Sequence, residues 1–444
     1  MSAIRLRLPP ADPQPRPQQF GPTQRAGALP RHLLMIARDF PPANSSAALR
    51  ALALTTRLAE QGWRTTVVSV RDQRHPATDP DLAARIPPSC AVSRAFGFDT
   101  KSTLSLRGRY PRLLAFPDRD ASWLIPAIGR ALWVHHHTPI GAVLSSSPPV
   151  TAHCVAGLVQ GAIGAPWIAE LRDPWNLTAR PGPLSTRADR LLERWVYAGA
   201  DRIVAVTEGL ADELRRRATA VAAKVRVVGN GFDEADFASL PNPSPEGSAF
   251  TIVHAGGCLP PYRDPRGFLG AVRLGLERGD LPSETRVVFL GAGEALRERL
   301  GGWLSGMGLD GRVEISGRVP HRQAIGSMRR AALLLLLQDW GAHRTSIPQK
   351  AYEYLRSGRL VLAIAPATSE TAALVRQQPG VFLASPADGE DIAAQLASAY
   401  RTWNVDPQRT FDRVVADYEQ RARAGRLLEV IDELCRPSAG GTRG

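Results

Sequence analysis

Short apolar segments of strand length alternate along this chain with longer segments whose apolar residues recur at helical spacing. In the first half, the apolar segments lie at 33–37, 65–70, 142–145, 167–171, 202–206 and 225–228. The helical segments between them lie at 47–61, 122–136, 148–159, 185–200 and 208–217. Strands that alternate with amphipathic helices predict a doubly wound α/β domain with a parallel sheet.

The same alternation restarts in the second half of the chain. Strands are predicted at 251–255, 286–290, 313–316, 333–337, 360–364 and 381–383, and helices from 268, from 347 and at 392–400 and 411–434. We therefore predict two Rossmann-like domains, at 31–240 and 241–405. The last helix, within 406–435, is long enough to return to the first domain.

Four segments fall outside this alternation. Residues 1–30 are rich in Pro, Gln and Arg, so we expect a disordered tail rather than a signal peptide, and 436–444 is expected to be equally loose. Residues 242–247 are rich in Pro and Ser and predict a linker, with hinge motion near 235–248. Residues 71–118 are irregular and long for a connection, which predicts a mobile segment that faces substrate.

Charge and composition narrow the classes of function. The net charge of +13 is carried almost entirely by arginine, which fits attraction to anionic lipid or substrate, or a coding bias spread over the surface. No basic run with interleaved aromatic residues indicates nucleic-acid binding. No apolar run approaches the ~18 residues of a membrane span. The four cysteines are far apart, which argues against a zinc site and fits a reducing, cytoplasmic compartment.

The segment 341–366 carries the strongest candidate chemistry. Ser346 and Gln349 have capping-box spacing, with Pro348 in the first helical turn. A helix start favours a phosphate, while Lys350 and Glu353 are neighbours on the polar face and Glu353 could accept hydrogen bonds from sugar hydroxyls. Taken alone, the same pattern fits an ordinary surface helix with one ion pair.

Four strand-end loops of the second half converge on one sheet edge. The first, GGCLPPYRDPRG, combines glycines that let a diphosphate approach the backbone with arginines that supply charge. The candidate donor-binding residues on these loops and the helix start are Gly256, Gly257, Arg263, Arg266, Gly291, Arg318, Val319, Ser346, Ile347, Lys350 and Glu353.

The first half offers candidates for the acceptor and for catalysis at the ends of its strands. Arg38, Asp39, Asn44 and Arg172 are the acceptor candidates. Asp173 and His153 could orient the acceptor. Capping of the next turn is a competing interpretation for Asp173, and packing within a helix is one for His153.

Several fragments, in this order and spacing, resemble glycosyltransferase family 4 of the GT-B fold, the retaining nucleotide-sugar transferases. They are ARDFPPANSSAALRALAL, SSSPPVTAH, ELRDPW, VVGNGFD, HAGGCLPPYRDPRGFL and IPQKAYEYLRSGRLVLAI. The resemblance implies two domains facing across a cleft, a donor held by the second and an acceptor held by the first. It assigns Arg266 or Arg263 to the diphosphate and Glu353 to the ribose. Thr345 stands where the family motif has its first glutamate.

The predicted reaction is transfer of a sugar from a nucleotide-diphosphate donor to a hydroxyl acceptor in glycan, glycolipid or glycosylated-metabolite assembly. Arg266 would stabilise the departing phosphate, which itself takes the acceptor's proton. No Asp-x-Asp motif lies on a strand-end loop, so neither a metal nor another cofactor is expected. Peripheral contact with an anionic membrane is possible, and nucleic acid is not an expected partner. A nucleotide-sugar 2-epimerase and a weakened transferase acting as a partner subunit are the alternatives. The sugar, base and acceptor are not predicted.

Overall fold

The structure, a computed structural model, describes residues 29–71, 78–104, 115–175, 183–217, 219–238, 240, 249–258, 263–338, 344–413 and 415–435. Residues 1–28 of the first predicted tail, the second predicted tail 436–444, the whole predicted linker 242–247 and the loop 259–262 lie outside the described residues. Within the described part, no helix is both long and apolar enough to cross a membrane.

The first sheet contains seven parallel strands in the order β3-β2-β1-β4-β5-β6-β7 among the described residues. The strands are β1 (His32–Ile36), β2 (Arg64–Val70), β3 (Cys90–Ala95), β4 (Ala142–Ser147), β5 (Trp167–Leu171), β6 (Arg202–Ala205) and β7 (Val225–Val227). The helices of this half are α1 (Ser46–Glu60), α2 (Pro80–Ala84), α3 (Thr100–Leu104), α4 (Leu124–His137), α5 (Thr151–Ile163), α6 (Pro183–Gly199), α7 (Glu208–Arg217) and α8 (Glu234–Ala238).

The second sheet contains six parallel strands in the order β10-β9-β8-β11-β12-β13 within the described chain. They are β8 (Thr251–Ala255), β9 (Arg286–Leu290), β10 (Val313–Ile315), β11 (Leu333–Leu337), β12 (Leu360–Ile364) and β13 (Val381–Ala384). The helices are α9 (Arg266–Arg278), α10 (Glu294–Gly306), α11 (His321–Arg330), α12 (Gln349–Arg356), α13 (Glu370–Val375), α14 (Gly389–Val405) and α15 (Gln420–Cys435).

Helices cover both faces of each sheet because alternate strand residues point to opposite sides. In β1, Leu34 and Ile36 belong to the core formed with α4, α5, α6 and α7. Leu33 and Met35 belong to the core formed with α1 and α15. The C-terminal helix therefore packs on the first domain, through Leu427 and its neighbours.

The strand order reverses at β1/β4 in the first sheet and at β8/β11 in the second. Ligands of doubly wound domains bind beyond the carboxyl ends of the strands at such reversals. The loops that follow these four strands include Asn44, Pro148, Gly256 and Gln338. Both reversals supply residues to one cleft, described below.

Two predicted segments differ from the structure. Residues 71–118 were expected to be irregular, yet they contain the edge strand β3, whose middle residues are only partly buried and so lack a continuous apolar pattern. The last helix begins at Gln420 rather than at 411. The chain before it is bonded to the second domain, since Phe411 N donates to Gly358 O at 2.8 Å and Arg413 donates to four carbonyl groups.

Candidate active site

A cleft of about 450 Å³ lies where the strand ends of the two domains face each other. Most of the predicted site residues line it: Asn44, Arg172, Asp173, Gly256, Gly257, Arg263, Gly291, Arg318, Val319, Ser346, Ile347, Lys350 and Glu353. Ten of the eleven donor candidates, two of the four acceptor candidates and Asp173 therefore share one cavity. Four predicted residues, His153, Arg266, Arg38 and Asp39, do not line it.

Two glycine loops touch at the floor of the donor side. Gly256 has φ +95°, a left-handed conformation that side chains disfavour, and its N–H donates to Leu290 O at 2.6 Å. Gly291 has φ +87°, and a Cβ placed there would lie 3.5 Å from Gly256 Cα. A Cβ on Gly256 would lie 3.1 Å from Lys350 Nζ. The glycines therefore leave open backbone directly beneath the lysine amine.

A buried histidine positions that amine. His254 Nδ1 lies 2.8 Å from Leu335 O, a group that can only accept, so Nδ1 carries the proton. His254 Nε2 is then the acceptor for Lys350 Nζ at 3.1 Å. Burial, followed by the lysine charge, holds the pKa of His254 well below its usual value. The imidazole therefore stays neutral and presents its lone pair to Lys350.

Lys350 is a cation in an unfavourable place for one. Burial, and next the charge of Arg263, lower the pKa of Lys350 to about 7. Its hydrogen-bond partner is an imidazole rather than a carboxylate. An anion bound between Lys350 and Arg263 would relieve both effects, since it restores the electrostatic compensation that burial removes. This corner of the cleft is thus suited to a phosphate.

The contacts at the start of α12 differ from those predicted and leave its first N–H groups without a side-chain partner. The N-cap is Pro348, and no side chain bonds to the first turn. The predicted capping box of Ser346 and Gln349 is therefore wrong. Ser346 O instead accepts from Gln338 Nε2 at 2.9 Å and from Thr371 Oγ1 at 3.3 Å. These contacts fix the turn before α12 and leave the N–H groups of its first turn without a side-chain cap, as anion binding requires.

Glu353 lies one turn further along α12 and is 5% exposed. Burial raises the pKa of Glu353, and the charge of His321 opposes this shift. His321 Nε2 donates to Asp236 Oδ2 at 3.0 Å. Although burial lowers the pKa of His321, the hydrogen bond to Asp236 and the charge of Glu353 raise it to about 9. Glu353 therefore faces a protonated imidazole, which favours its carboxylate form.

The two domains touch across the cleft through Asn44 and the loop after β10. Asn44 Nδ2 donates to Val319 O at 3.2 Å, and Arg318 Nη1 donates to Asn44 O at 3.1 Å. An acceptor candidate and two donor candidates are thus bonded to each other. This contact joins the two domains at the wall of the cavity.

Arg172 and Asp173 reach the cleft from the end of β5. The Arg172 side chain donates to Ser147 O at 3.1 Å and to Pro148 O at 2.6 Å. These bonds hold the segment after β5 against the segment after β4. Asp173 Oδ1 accepts from Ser346 Oγ at 3.5 Å. Asp173 therefore lies between the acceptor side and the start of α12, where an orienting role stays a prediction.

The remaining predicted residues occupy other places. His153 is 0% exposed, its Nδ1 lies 2.8 Å from Ser145 Oγ, and burial lowers its pKa to about 3. His153 is therefore a packed residue of the core, and the predicted contact with the acceptor is not present. Arg38 and Asp39 form an ion pair with each other, and Arg38 Nε also bonds Asp120 at 2.6 Å, behind the cleft wall.

Arg266 begins α9 outside the cavity. Its side chain is 54% exposed and pairs with Asp264, with Nε 2.9 Å from Oδ2. The carboxylate compensates the charge that was assigned to a diphosphate. In this conformation Arg263, not Arg266, is the arginine of this loop that lines the cleft.

Sequence reasoning missed several residues of the cavity, His321, Gln338 and Gln349 above all. His321 follows the GRV loop by two residues and opens α11, so extending each strand-end loop to the first helical residue would have included it. Gln338 directly follows β11 and could have been found in the same way. Gln349 was read as a cap, whereas its Nε2 donates to Gly231 O at 2.7 Å.

Solved structures with the same architecture establish the fold. Sucrose-phosphate synthase from Thermosynechococcus elongatus superposes with a TM-score of 0.62 at 16% identity, covering 91% of this chain and 98% of its own. Anabaena HepE in complex with UDP-glucose gives 0.60 at 16% identity over 91% and 98%. A UDP-N-acetylglucosamine 2-epimerase described for Listeria monocytogenes gives 0.55 at 15% identity over 91% and 96%.

The protein thus has the GT-B architecture that was predicted, two Rossmann-like domains facing across a cleft. Residues 45–231 match the family described as glycosyl transferase 4-like domain. The first domain of the chain is therefore similar to this family, in agreement with the resemblance of its motifs. No curated protein matches it by sequence.

Proposed function

We propose that this protein is a glycosyltransferase and that it binds the diphosphate of a nucleotide-sugar at the corner formed by Lys350, Arg263, the Gly256 loop and the start of α12. The observation that carries the proposal is the buried lysine amine above an open glycine backbone, in the same cavity as Asp173. Glu353, one helical turn away, would accept hydrogen bonds from the ribose. The acceptor hydroxyl would enter from the side of Asn44, Arg172 and Asp173.

The proposed chemistry follows from the charges. When the bond between sugar and diphosphate breaks, negative charge grows on the leaving phosphate. Lys350, Arg263 and the N–H groups of α12 would stabilise the transition state, which carries this charge, more strongly than the ground state. This difference lowers the barrier. The acceptor's proton would pass to the departing phosphate, with retention of configuration, while Asp173 orients the acceptor.

We further propose that transfer requires no metal or other cofactor. The support is the set of cationic groups already at the phosphate corner, which can supply the compensation that a divalent ion supplies elsewhere. Transfer that continues in excess chelator would fit this proposal. Activity that is lost with chelator and restored by Mg²⁺ or Mn²⁺ would contradict it.

The identity of the donor can be approached from the relatives. HepE was solved with UDP-glucose, so UDP-sugars are the first donors to test. The acceptor is proposed to be a glycan, lipid-linked or small-molecule hydroxyl. The four free thiols support a reducing compartment, and we propose a cytoplasmic location with peripheral contact at an anionic membrane.

Two alternatives remain open to experiment. The epimerase relative shows that the fold alone does not separate transfer from 2-epimerisation. A partner subunit would not need an anion site, which argues against this alternative. Thr345, which stands in place of a family glutamate, is the residue that favours it. The carbonyl of Thr345 accepts a hydrogen bond from Thr207 of the other domain. The matched family favours transfer over both.

The test is a thermal-shift series with nucleoside diphosphates and their sugars, followed by assay of the stabilising donor for slow hydrolysis. Stabilisation with hydrolysis supports the transferase. Interconversion of the sugar without acceptor would support the epimerase, and the absence of any stabilising nucleotide would support the partner subunit.

A further inference from the structure

Helix α8 follows the last strand of the first sheet but packs on the second domain. Phe237 of α8 belongs to the same core as Ile325 of α11 and Tyr352 of α12. Arg329 of α11 also donates to Phe237 O at 3.3 Å. Any group of the first domain that bonds to α8 or α11 therefore joins the two domains.

The first domain bonds to both of these helices through α2. This short helix with its two caps, Asp79 and Arg85, is here called the α2 segment. Asp79 Oδ2 accepts from His321 N at 3.1 Å, at the first residue of α11. Arg85 donates to Asp236 Oδ1 of α8 at 2.8 Å and also pairs with Asp233. The two ends of α2 are thus bonded to different helices on the second domain.

The α2 segment is anchored beside the wall of the cleft. Asp79 N donates to Pro42 O at 2.6 Å, in the loop that carries Asn44. Leu82 of α2 packs against Leu49 of α1. The α2 segment therefore continues the contact that Asn44 makes with the second domain.

Opposite charges alternate from the α2 segment to the corner assigned to the ribose. They are, in order, Arg85, Asp236, His321 and Glu353. The charged groups that face the His321 imidazole are Asp236 of α8, Glu353 of α12 and Arg85. Burial and Arg85 lower the pKa of His321, but Asp236 and Glu353 outweigh them and raise it to about 9. The imidazole is therefore charged at neutral pH and attracts the Glu353 carboxylate.

We propose that His321 is a positioning residue for the ribose of the donor, and that the α2 segment of the first domain holds it in place. This role rests on the donor site proposed above and extends that site to the first domain. His321 would keep Glu353 ionised beside the ribose hydroxyls. Asp79 and Arg85 would fix the helix start and the carboxylate that orient the imidazole. Donor binding and the contact between the domains would then strengthen each other, because coupling between two equilibria is reciprocal.

The experiment compares the affinities of the full chain for UDP, ADP, GDP and CDP with those for their dideoxy forms, by calorimetry. Wild type should bind its preferred ribonucleotide at least about tenfold more tightly than the dideoxy form, since hydrogen bonds to a charged group are lost. His321→Gln keeps an N–H that can donate to Asp236 and removes the charge. It should weaken binding of the ribonucleotide about tenfold and leave binding of the dideoxy form unchanged.

The α2 segment is tested by combining Asp79→Ala with Arg85→Met. Affinity for the ribonucleotide should fall about fivefold or more, the lower end of ordinary coupling between sites. The matched control combines Asp81→Ala with Arg216→Met, at exposed positions of α2 and α7, and should bind as wild type does. An equal loss in this control, or unchanged binding in the α2-segment variant, would overturn the role of the first domain.

A pH series separates positioning of the ribose from a role in folding alone. In His321→Gln, Glu353 loses the charge that opposes the rise of its pKa by burial, so a larger fraction should be protonated near neutral pH. The preference of this variant for the ribonucleotide should therefore recover as pH rises. Wild type should depend less on pH below about 9, where His321 is still charged. The ratio of affinities is independent of Lys350, because both nucleotides carry the same diphosphate.

The outcomes separate this role from the proposed function. Equal loss of both nucleotides in His321→Gln, without recovery at higher pH, would overturn the role, because the residue would then serve the fold and not the ribose. If wild type binds a nucleotide and the His321 and α2-segment variants bind it equally well, only this role fails. If wild type binds none of the nucleotides, the proposed function fails with it.

Discussion

Two cations predicted to bind the same diphosphate lie in contrasting surroundings. Lys350 is enclosed in the cleft, is bonded to a neutral imidazole and has a pKa lowered to about 7. Arg266 is half exposed and already paired with Asp264. A cation without a carboxylate partner can bind an anionic ligand without breaking an ion pair. A surface cation that is already paired must give up its carboxylate before it can bind the ligand. We therefore expect the buried, uncompensated Lys350 to be the better phosphate ligand of the two.

The strongest test of this comparison is Lys350→Met, which keeps the apolar stem and removes the charge. We expect donor hydrolysis or transfer to fall about 100- to 1,000-fold, because the amine would act on charge that develops in the transition state. Stabilisation by nucleoside diphosphate should also fall in thermal-shift measurements. Lys101→Met, at an exposed position of the first domain, is the control and should behave as wild type. Unchanged kcat/KM in Lys350→Met would remove the lysine from the mechanism.

Much of the fold was predictable because it depends on local patterns. The strands β8, β9, β11 and β12 begin and end where the apolar runs do, and most have glycines near their ends. The edge strand β3 was missed because an edge position does not demand continuous burial. Sequence patterns thus identify buried strands better than peripheral ones.

The burial of individual side chains and the pairing of their charges were harder to predict than their positions along the fold. Asp173 and His153 both lie near strand ends, yet one lines the cleft and the other is enclosed by Ser145 and Trp175. Helical spacing does not say how deep a side chain lies. The pairing of Arg266 with Asp264 was visible at a spacing of two residues and could have lowered its rank.

A smaller effect is expected at the ribose corner. Glu353→Gln should raise the KM for donor about 10- to 100-fold with a lesser change in kcat, since hydrogen bonds to a charged group contribute about 1.5–3 kcal/mol. The dideoxy form of the stabilising nucleotide provides the control. Wild type should lose affinity for it, whereas Glu353→Gln should hardly distinguish the two nucleotides. Equal discrimination in both proteins would place the ribose elsewhere.

The lowered pKa of Lys350 predicts a pH dependence. In the ligand-free protein the amine loses its proton above about pH 7, whereas a bound phosphate favours the charged form. Nucleotide affinity should therefore fall as pH rises through about 7, by up to about tenfold per pH unit, until the pKa of the complex is reached. Calorimetric titration at several pH values measures this, and Lys350→Met should lack this lysine-dependent fall.

The stability of the ligand-free protein should show the opposite trend. Between about pH 7 and the usual pKa of 10.5, the unfolded chain holds a proton on Lys350 that the folded chain has lost. The contribution of Lys350 to the free energy of unfolding therefore rises with pH across this window. The difference between wild type and Lys350→Met in urea unfolding isolates it. A difference that does not change with pH would mean that the amine keeps an ordinary pKa.

Arg266→Met should have the smallest effect, a change of about twofold or less in kcat/KM, because its guanidinium lies outside the cavity and a surface ion pair contributes only about 0–1 kcal/mol. Arg263→Met is the informative partner, since Arg263 lines the cleft beside Lys350. Its kcat/KM should fall at least about tenfold, as expected for a lost charge-assisted contact. If Arg266→Met instead proves the more damaging substitution, the loop 263–266 must rearrange when donor binds, so that Arg266 exchanges Asp264 for a phosphate. In that case Asp264→Asn should also change kcat/KM for the donor, because Asp264 would take part in the same rearrangement. If the loop does not move, Asp264→Asn should have little effect at any donor concentration.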